Sequence, residues 1–396
     1  MWLFSGLFLV QLINLGFAFI HPRIYSPADF AQFGLFLASV MILFEVNNFR
    51  LDQALMLPSD ETTSIALYKK AIRYSTLFSI GLLLLLGLYR VTPLFNEQHY
   101  FLFWIPVSVF INGIYQPTIT YCNRHQHYRL INQSRILQAF FAGAISCIPY
   151  LIKSSQVYLI QGFITGQIAS SLLLLPVITK AWKTDTSTVI HPLKAYGQFP
   201  KYGTWSSLLN AFSRNAIFYL LNFFFTPASV GLYTFTNRLI QAPLGVVTSA
   251  VGQAYFRDAS MASSHKALQQ LTKNIFLALT GLALIPVILA LGWGPDLFSL
   301  LFGEAWRGAG EIARYLALWY GTSLVVTPLS MLVDVKGRLK WELGYNIAFF
   351  LARIIILLIG GYWGHFAGTM WLFCLVSVIF NIYLLIFVKQ LTRHEN

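Results

Sequence analysis

Three arginines lie inside otherwise apolar stretches of this chain: Arg214, Arg238 and Arg353. A charged side chain at the centre of a membrane-spanning helix costs about 2.5 to 3.5 kcal/mol on insertion scales, so each guanidinium must face protein or water rather than lipid. Guanidinium groups offer bidentate hydrogen bonds to phosphate. Because Glu45 is the one carboxylate well inside an apolar stretch, unpaired positive charge predominates there. The pattern indicates a site for a phosphate or diphosphate.

The alternative is that the same arginines pair with a buried carboxylate and fasten helices together, with Glu45 as the leading partner. Arg23 and Arg50 end the first two apolar stretches. They either extend the cationic surface or reach the membrane interface as long side chains at helix ends commonly do. Glu45, near Asn47 and Asn48, is also a candidate proton or sodium site, against the alternative of a carboxylate that locks helices.

Polar residues with helical spacing accompany these charges. Ser207, Asn210 and Arg214 recur at i, i+3 and i+7 and therefore share one face of a helix. We expect such residues to line a central cavity, and the predicted cavity-lining set is Gln11, Asn14, Ser207, Asn210, Asn237, Gln241 and Asn346.

The elements that carry these residues follow from composition. Hydrophobic residues make up 57% of the 396 residues and charged residues 10%, against about 25% charged in an ordinary soluble domain. The mean hydropathy is +0.63. The chain is therefore predicted to be an all-α integral membrane protein with about twelve spanning helices. The predicted spans are 2–20, 30–49, 71–90, 98–121, 131–152, 157–179, 203–225, 229–254, 273–293, 309–333, 340–360 and 364–388.

Basic residues are distributed unequally between alternate loops. Of the 27 Lys and Arg residues, nineteen are assigned to one set of alternate loops and five to the other, while Arg214, Arg238 and Arg353 lie well inside predicted spans. Positive charge concentrates in cytoplasmic loops, so both termini are predicted to be cytoplasmic. The net charge of +13 is therefore explained by the membrane topology. It does not indicate nucleic-acid binding, because no segment is long and polar enough to form a nucleic-acid-binding module.

A short motif occurs twice. "YSPADFAQFGLF" starts at Tyr25 and "FTPASVGLY" starts at Phe225, while "LFNE" at 94–97 matches "LFGE" at 301–304. Offsets near two hundred residues indicate two parallel six-helix repeats around a central cavity. Tight turns that favour Pro and Gly are the alternative explanation for one such match. The predicted organisation is an N-terminal lobe at 1–180, a cytoplasmic linker at 181–201 and a C-terminal lobe at 202–396.

Catalytic and metal-binding signatures are missing from the sequence. Neither a Gly-x-Ser-x-Gly nor a Walker motif nor a His-Glu-x-x-His motif occurs. "RHQH" at 124–127 is predicted to be a solvated turn without a nearby carboxylate, and Cys122, Cys147 and Cys374 to be small buried hydrophobes. The outward loops are short, the longest running from about Gly294 to Gly308. We therefore predict a transporter without metal or cofactor rather than an enzyme.

Two longer segments carry a resemblance to a known family. "FRLDQALMLPSDETTSIALYKKAI" from Phe49 and "YGQFPKYGTWSSLLNAFSRNAIFYLLNFFFTPASVGLYTFTNRLIQAPLG" from Tyr196 resemble the O-antigen and polysaccharide flippases of the multidrug/oligosaccharidyl-lipid/polysaccharide exporter superfamily. By position, Arg50 matches the motif arginine after the second helix, and Arg23 a basic residue before the Pro-containing turn. The family usually has a short basic segment before the first helix, whereas this chain begins directly in apolar sequence.

The resemblance implies a function for the chain. The implied function is translocation of an undecaprenyl-diphosphate-linked oligosaccharide from the cytoplasmic to the periplasmic leaflet by alternating access. The oligosaccharide would be the repeat unit of an O-antigen, capsule or exopolysaccharide. Expected partners are that lipid-linked glycan, membrane lipid, and the polysaccharide polymerase and chain-length machinery, with the flippase itself a monomer. The alternatives are a drug/cation antiporter of the same superfamily, which would require buried carboxylates, and a membrane polysaccharide polymerase or ligase, which the short outward loops disfavour.

Overall fold

The apolar stretches of the sequence form long α-helices joined by short turns. The structure is a computed structural model, and it describes residues 2–93, 101–148, 158–186, 196–262 and 264–393, in which no β-strand occurs. The helices are α1 (Trp2–Ile20), α2 (Pro27–Asn47), α3 (Leu51–Ala54), α4 (Glu61–Val91), α5 (Trp104–Arg124), α6 (Tyr128–Ser146), α7 (Tyr158–Leu173), α8 (Leu175–Lys183), α9 (Thr204–Phe224), α10 (Pro227–Ser260), α11 (His265–Phe302), α12 (Arg307–Val335), α13 (Leu339–Trp363) and α14 (Phe366–Leu391).

Short polar residues and glycines set the helix ends. The side chain of Asp60 accepts a hydrogen bond from the Thr63 amide at 2.7 Å, which starts α4. Ser264 caps α11 in the same way, because a free N–H in the first turn needs an acceptor. At the other ends, Gly303, Gly337 and Gly364 adopt positive φ angles, the conformation that lets glycine end a helix.

The chain divides into two compact units. The first comprises Met1–Tyr25 and Gln32–Phe218, and the second Ser26–Ala31 and Tyr219–Asn396. In the first unit α6 packs against α7 and α1, and α4 against α5. In the second unit α12 packs against α10, α11 and α14, and α13 against α14. The first turn of α2 thus belongs to the second unit.

The repeated motif has a structural purpose in the second unit. A Cβ placed on Gly231, near the start of α10, would lie 1.6 Å from the carbonyl oxygen of Pro27. The backbone of α10 therefore touches the first turn of α2 directly. Both members of the repeat, Pro27 and Pro227, stand at the first position of their helices, where proline fits because that N–H has no intrahelical partner. The "LFNE" copy at 94–97 lies outside the described residues.

The membrane-spanning character of the chain is clear in the described ranges. Six helices are long and apolar enough to cross a membrane, and a seventh span results if α7 and α8, which are bent by 54°, count as one. The helices α9 and α10 fall outside this set, and both carry the polar side chains noted above. The fold is that of an all-α, multi-pass membrane protein, and the count of twelve spans stays a prediction.

The predicted outward loop from Gly294 to Gly308 is wrong. The helix α11 continues through Pro286 and Pro295 to Phe302, and a 3₁₀ turn follows at Glu304–Trp306. Prolines are tolerated inside membrane helices because neighbouring groups satisfy the freed carbonyls. Here Gly294 allows close packing, since a Cβ on it would lie 2.8 Å from the Gly310 carbonyl oxygen of α12.

The other predicted boundaries differ by several residues, as α4 begins at Glu61 and α6 ends at Ser146. The three cysteines are free, and Cys122 and Cys374 are buried.

Candidate functional site

Two arginines of the first unit share one carboxylate. Arg50 Nη1 lies 2.9 Å from Glu45 Oε2, and Arg214 Nη2 lies 3.7 Å from Glu45 Oε1. The Arg50 and Glu45 side chains are about one quarter exposed, whereas Arg214 is 61% exposed. This group, named the Glu45 cluster, therefore carries a net positive charge, with Arg214 as its accessible member.

A strained turn places Arg50 in this cluster. Phe49 and Arg50 both have positive φ angles, of 50° and 59°, which non-glycine residues adopt at a cost of about 1–3 kcal/mol each. Asn47 anchors the preceding helix end, because its side chain donates to the Val109 carbonyl at 2.8 Å and accepts from the Ser75 hydroxyl. Buried contacts to α4 and α5 thus hold the turn in a conformation that its own backbone disfavours.

The surroundings of Arg50 are polar and partly buried. Its Nε is buried without a hydrogen-bond partner among the described residues. Asp52, two residues further on, is buried in α3. Burial raises the pKa of the Asp52 carboxyl, and the Arg50 charge opposes that rise. A second carboxylate therefore lies within electrostatic range of Arg50 without forming an ion pair with it in the described structure.

The remaining predicted residues of the first unit do not join the Glu45 cluster directly. Arg23 is exposed, and its guanidinium donates to the Phe19 carbonyl at the end of α1. Gln11 and Asn14 are half-buried on α1. On α9, Ser207 is half-buried and lies two turns before Arg214, and Asn210 is exposed and lies one turn before it. The i, i+3, i+7 stripe is therefore present, and Arg214 is the member whose contact with the Glu45 cluster is seen.

Arg353 of the second unit is held by aromatic rings and a hydroxyl. Its guanidinium carbon lies 4.6 Å from the ring centroid of Trp319, 3.9 Å from that of Phe349 and 4.8 Å from that of Phe373. Nε and Nη2 donate to Ser377 Oγ at 3.1 and 3.0 Å. No carboxylate of the described ranges lies within ion-pair distance of it. Arg353 is thus a cation stabilised without a counterion, in what we call the Arg353 cage.

Other polar residues of the second unit differ in exposure. Asn237 is half-buried and accepts a hydrogen bond from the Tyr320 hydroxyl at 3.0 Å. Arg238 and Gln241 on α10 are exposed, and so is Asn346 on α13. Arg238 is therefore accessible on a helix whose preceding residues are buried.

Sequence reasoning missed the residues that position the arginines. The Arg353 cage depends on Trp319, Phe349, Phe373 and Ser377, and none of them was predicted. Phe349 is four residues before Arg353 and Phe373 four before Ser377, so helical spacing could have suggested both pairs. The helix α12 that supplies Trp319 cannot be inferred from spacing, because it is distant in sequence.

The His125–His127 turn differs from its prediction in one contact. Both histidines are exposed, as expected of a solvated turn. However, Glu61 Oε1 lies 3.0 Å from His125 Nε2, so a carboxylate is present after all. Glu61 comes from α4, sixty-odd residues away in sequence. No group of three or more metal-ligating side chains occurs in the described part of the chain.

The comparisons with known proteins agree with this architecture. Residues 20–311 match the sequence profile of a family described as polysaccharide biosynthesis protein. Among curated proteins, none is similar to the chain at a significant level.

Solved structures of similar fold are transporters. A structure described as the lipid II flippase MurJ in an inward closed conformation has a TM-score of 0.78 at 13% identity, covering 98% of this chain and 87% of that one. A MOP superfamily transporter from Pyrococcus furiosus has a TM-score of 0.64 at 13% identity, covering 98% and 93%. An outward-facing multidrug resistance MATE family transporter has a TM-score of 0.56 at 12% identity, covering 99% and 95%.

The profile spans more than half of the chain and therefore shows the family. The similarity to solved structures, at 13% identity or less, shows the fold alone. The family that the motifs after the second helix and around Arg214 resemble is thereby confirmed. The chain belongs to the polysaccharide biosynthesis protein family and has the fold of the multidrug/oligosaccharidyl-lipid/polysaccharide exporter (MOP) superfamily.

Proposed function

We propose that this protein flips an undecaprenyl-diphosphate-linked oligosaccharide, the repeat unit of an O-antigen, capsule or exopolysaccharide. Movement is from the cytoplasmic to the periplasmic leaflet of a bacterial inner membrane, by alternating access. The observation that carries the proposal is the excess of guanidinium over carboxylate in the Glu45 cluster and the Arg353 cage. Arg50 and Arg214 share Glu45, and Arg353 has no carboxylate partner among the described residues.

A diphosphate headgroup needs such groups to cross a membrane. Burying an unpaired charge in hydrocarbon costs many kcal/mol, and bidentate arginine contacts replace the lost hydration. Arg214 is suited to exchange partners, because its contact with Glu45 is long and its side chain is mostly exposed. Arg50 is closer to Glu45 and less exposed. An arriving diphosphate therefore takes Arg214 first, while the Arg50–Glu45 pair keeps the turn in place.

The remaining predicted residues belong to the same proposal. Arg23 of the first unit and Arg238 and Arg353 of the second provide further positive charge. The polar side chains at Gln11, Asn14, Ser207, Asn210, Asn237, Gln241 and Asn346 would meet water or sugar hydroxyls. Glu45 is the carboxylate we assign to proton or sodium coupling. A polysaccharide polymerase and its chain-length partner would consume the flipped product, and the flippase acts as a monomer.

Transbilayer movement in proteoliposomes tests the proposal. Purified protein is reconstituted with a fluorescent polyprenyl-diphosphate oligosaccharide, and the label in each leaflet is followed with and without pH and sodium gradients. We expect protein-dependent exchange that falls at least tenfold in Arg214→Ala and in Arg238→Ala. Arg257→Ala is the matched control, because Arg257 is equally exposed and pairs with its neighbour Asp258. Normal exchange in both test variants would refute the arginine site.

A drug/cation antiporter is the second candidate, because a MATE family transporter shares the fold. A cationic substrate would require carboxylates in excess on the membrane helices, and the Glu45 cluster and Arg353 cage show the opposite balance. Efflux of cationic dyes from the same vesicles, without lipid exchange, would decide for the antiporter.

A further inference from the structure

A groove on the second unit begins at a cationic opening. It encloses about 440 Å³ between the first half of α11 and the last turns of α14. Lys273 of α11 and Lys389 and Arg393 at the end of α14 line this opening. All three side chains are exposed, and none forms an ion pair within the described part of the chain.

A second, apolar space adjoins the groove. This second space, of about 280 Å³, shares Phe276 and Leu385 with the first. Along α11 the lining residues recur one helical turn apart, from Lys273 through Phe276 and Thr280 to Val287. Fourteen residues of helix span about 21 Å, which is more than half of a hydrocarbon core about 30 Å thick. The groove thus has the length of one lipid leaflet.

The inner end of the groove is closed by a tight helix contact. A Cβ on Gly321 of α12 would lie 2.5 Å from Val287 Cγ2 of α11. Along the groove, exposed Leu284, Leu318 and Ile382 present hydrocarbon to the surroundings. A chain that enters at the cationic end therefore meets apolar side chains and then a stop.

We propose that this groove binds one anionic phospholipid, with its phosphate headgroup on Lys273, Lys389 and Arg393 and an acyl chain along α11. Three cations without a carboxylate partner among the described residues complement an anionic headgroup, and the adjoining apolar space requires that the ligand carry a hydrocarbon tail. A free phosphate would use only the opening. The site lies within one unit and does not depend on the transported substrate, so this proposal can be tested separately from the proposed function.

The test has to distinguish lipid binding by these cations from a purely structural role. Lys389 and Arg393 also stand at the C-terminal end of α14, where positive charge is favourable to the helix dipole. A dipole role would alter thermal stability without altering the choice between lipids. Lipid selectivity is therefore the quantity to measure.

Native mass spectrometry of the delipidated full chain measures that selectivity. The probes are dioleoyl phosphatidylglycerol, dioleoyl phosphatidylcholine with identical tails, glycerol 3-phosphate and undecaprenyl phosphate. We expect phosphatidylglycerol to bind at least tenfold more tightly than phosphatidylcholine. In Lys273→Gln/Lys389→Gln we expect about a fivefold loss for each cation removed, the change that roughly 1 kcal/mol per charge at an anionic surface corresponds to.

Matched variants complete the design. Lys266→Gln/Lys340→Gln removes two exposed lysines outside the groove and should keep the wild-type selectivity. Thr280→Trp fills the apolar part and should weaken both phospholipids while sparing the charge preference. Equal binding of the two phospholipids, or full selectivity in Lys273→Gln/Lys389→Gln, would overturn the proposal. So would displacement of phosphatidylglycerol by glycerol 3-phosphate, which would indicate a phosphate site, or stronger binding of undecaprenyl phosphate that phosphatidylglycerol fails to displace.

Discussion

At the scale of single residues, Arg353 shows how a membrane helix can keep a charge without a counterion. Three aromatic faces and one hydroxyl replace water around the guanidinium. Each cation–π contact contributes about 0.5–2 kcal/mol, more when the pair is desolvated. Ser377 can accept from Arg353 because its own proton goes to the Phe373 carbonyl at 2.7 Å. No carboxylate among the described residues neutralises this cation, and its role towards a diphosphate stays a proposal.

Replacing Arg353 separates its charge from its packing. Arg353→Met keeps a long apolar side chain among the rings, so we expect thermal unfolding within about 3 °C of wild type and loss of lipid exchange. Arg353→Lys keeps the charge but loses the planar guanidinium that stacks on the rings and donates in two directions. We therefore expect a lipid exchange rate below one tenth of the wild-type rate. Unfolding is followed in detergent and exchange in proteoliposomes. Wild-type exchange in Arg353→Met would show that the residue is structural.

Asp52 predicts a dependence of stability on pH. Burial raises the pKa of its carboxyl in the folded protein, so the folded state favours the protonated form. Its contribution to stability is fully present below the unfolded pKa, near 3.9, and is lost as the pH rises through the folded value. We therefore expect Asp52→Asn to raise the unfolding temperature at pH 7 and to lose this advantage towards pH 4. Asp258→Asn, at a side chain that is 43% exposed, is the control, and a constant difference for Asp52→Asn would contradict the assignment.

Sequence reasoning at this scale found charges more readily than partners. Glu45 was named as the leading partner for the arginines, and the structure places it between Arg50 and Arg214. The roles of the arginines in binding stay predictions. Helical spacing could suggest the pairs within one helix, but not the assembled Arg353 cage, because α12 and α14 supply Trp319 and Ser377 to an arginine of α13 and only tertiary packing brings them together.

At the scale of elements, close helix contacts depend on glycine. Gly162 and Gly166 form a G-x-x-x-G pattern on α7, and a Cβ on either would lie 2.5 Å from a carbonyl oxygen of α6. Small residues at this spacing let membrane helices approach each other because lipid provides no hydrophobic drive for association. The pair α6–α7 is therefore joined by backbone contact rather than by interlocking side chains.

Adding one methyl group tests this contact. In Gly166→Ala the new Cβ meets backbone that cannot rotate away, so we expect a loss of about 1–3 kcal/mol in stability, as for overpacked cores. Gly87→Ala on α4 is the matched control, because a Cβ there meets nothing within 4 Å. That control should be neutral or stabilising by up to about 1 kcal/mol. Equal unfolding temperatures for the two variants would show that α6 and α7 are not in contact at Gly166.

Element boundaries were the weakest part of the sequence reading. The predicted span ended at 293 and an outward loop was expected from Gly294, yet α11 continues through Pro286 and Pro295 to Phe302. Proline ends a helix reliably in water, where the freed carbonyls have other partners, whereas in a membrane continuation is less costly than exposing the backbone. The paired glycines Gly294 and Gly310 give the tight contact that accommodates this region.

At the scale of the whole molecule, composition was sufficient for the fold class, and the repeated motif suggested two similar halves. The structure divides into two units, and the first turn of α2 is grouped with the second. That detail cannot be derived from hydropathy, because it depends on the backbone contact of Pro27 with Gly231. The predicted lobe limits at 180 and 202 and the twelve spans stay predictions, since apolar length alone counts six or seven spans in the described ranges.

The orientation of the molecule is the last prediction, and it decides which membrane surface the Glu45 cluster and the lipid groove serve. Nineteen of the basic residues fall in one set of loops, so both termini should be cytoplasmic. Single cysteines are introduced after replacing the native ones by Ser or Ala, at exposed positions predicted to lie outside, Thr92→Cys and Glu304→Cys, or inside, Lys340→Cys and Gln390→Cys. A membrane-impermeant maleimide should label the first pair in intact spheroplasts and the second pair only after lysis. The reverse pattern would show that the orientation is opposite to the predicted one. Labelling of Lys340→Cys and Gln390→Cys from opposite sides would mean that α13 and α14 do not both span the membrane.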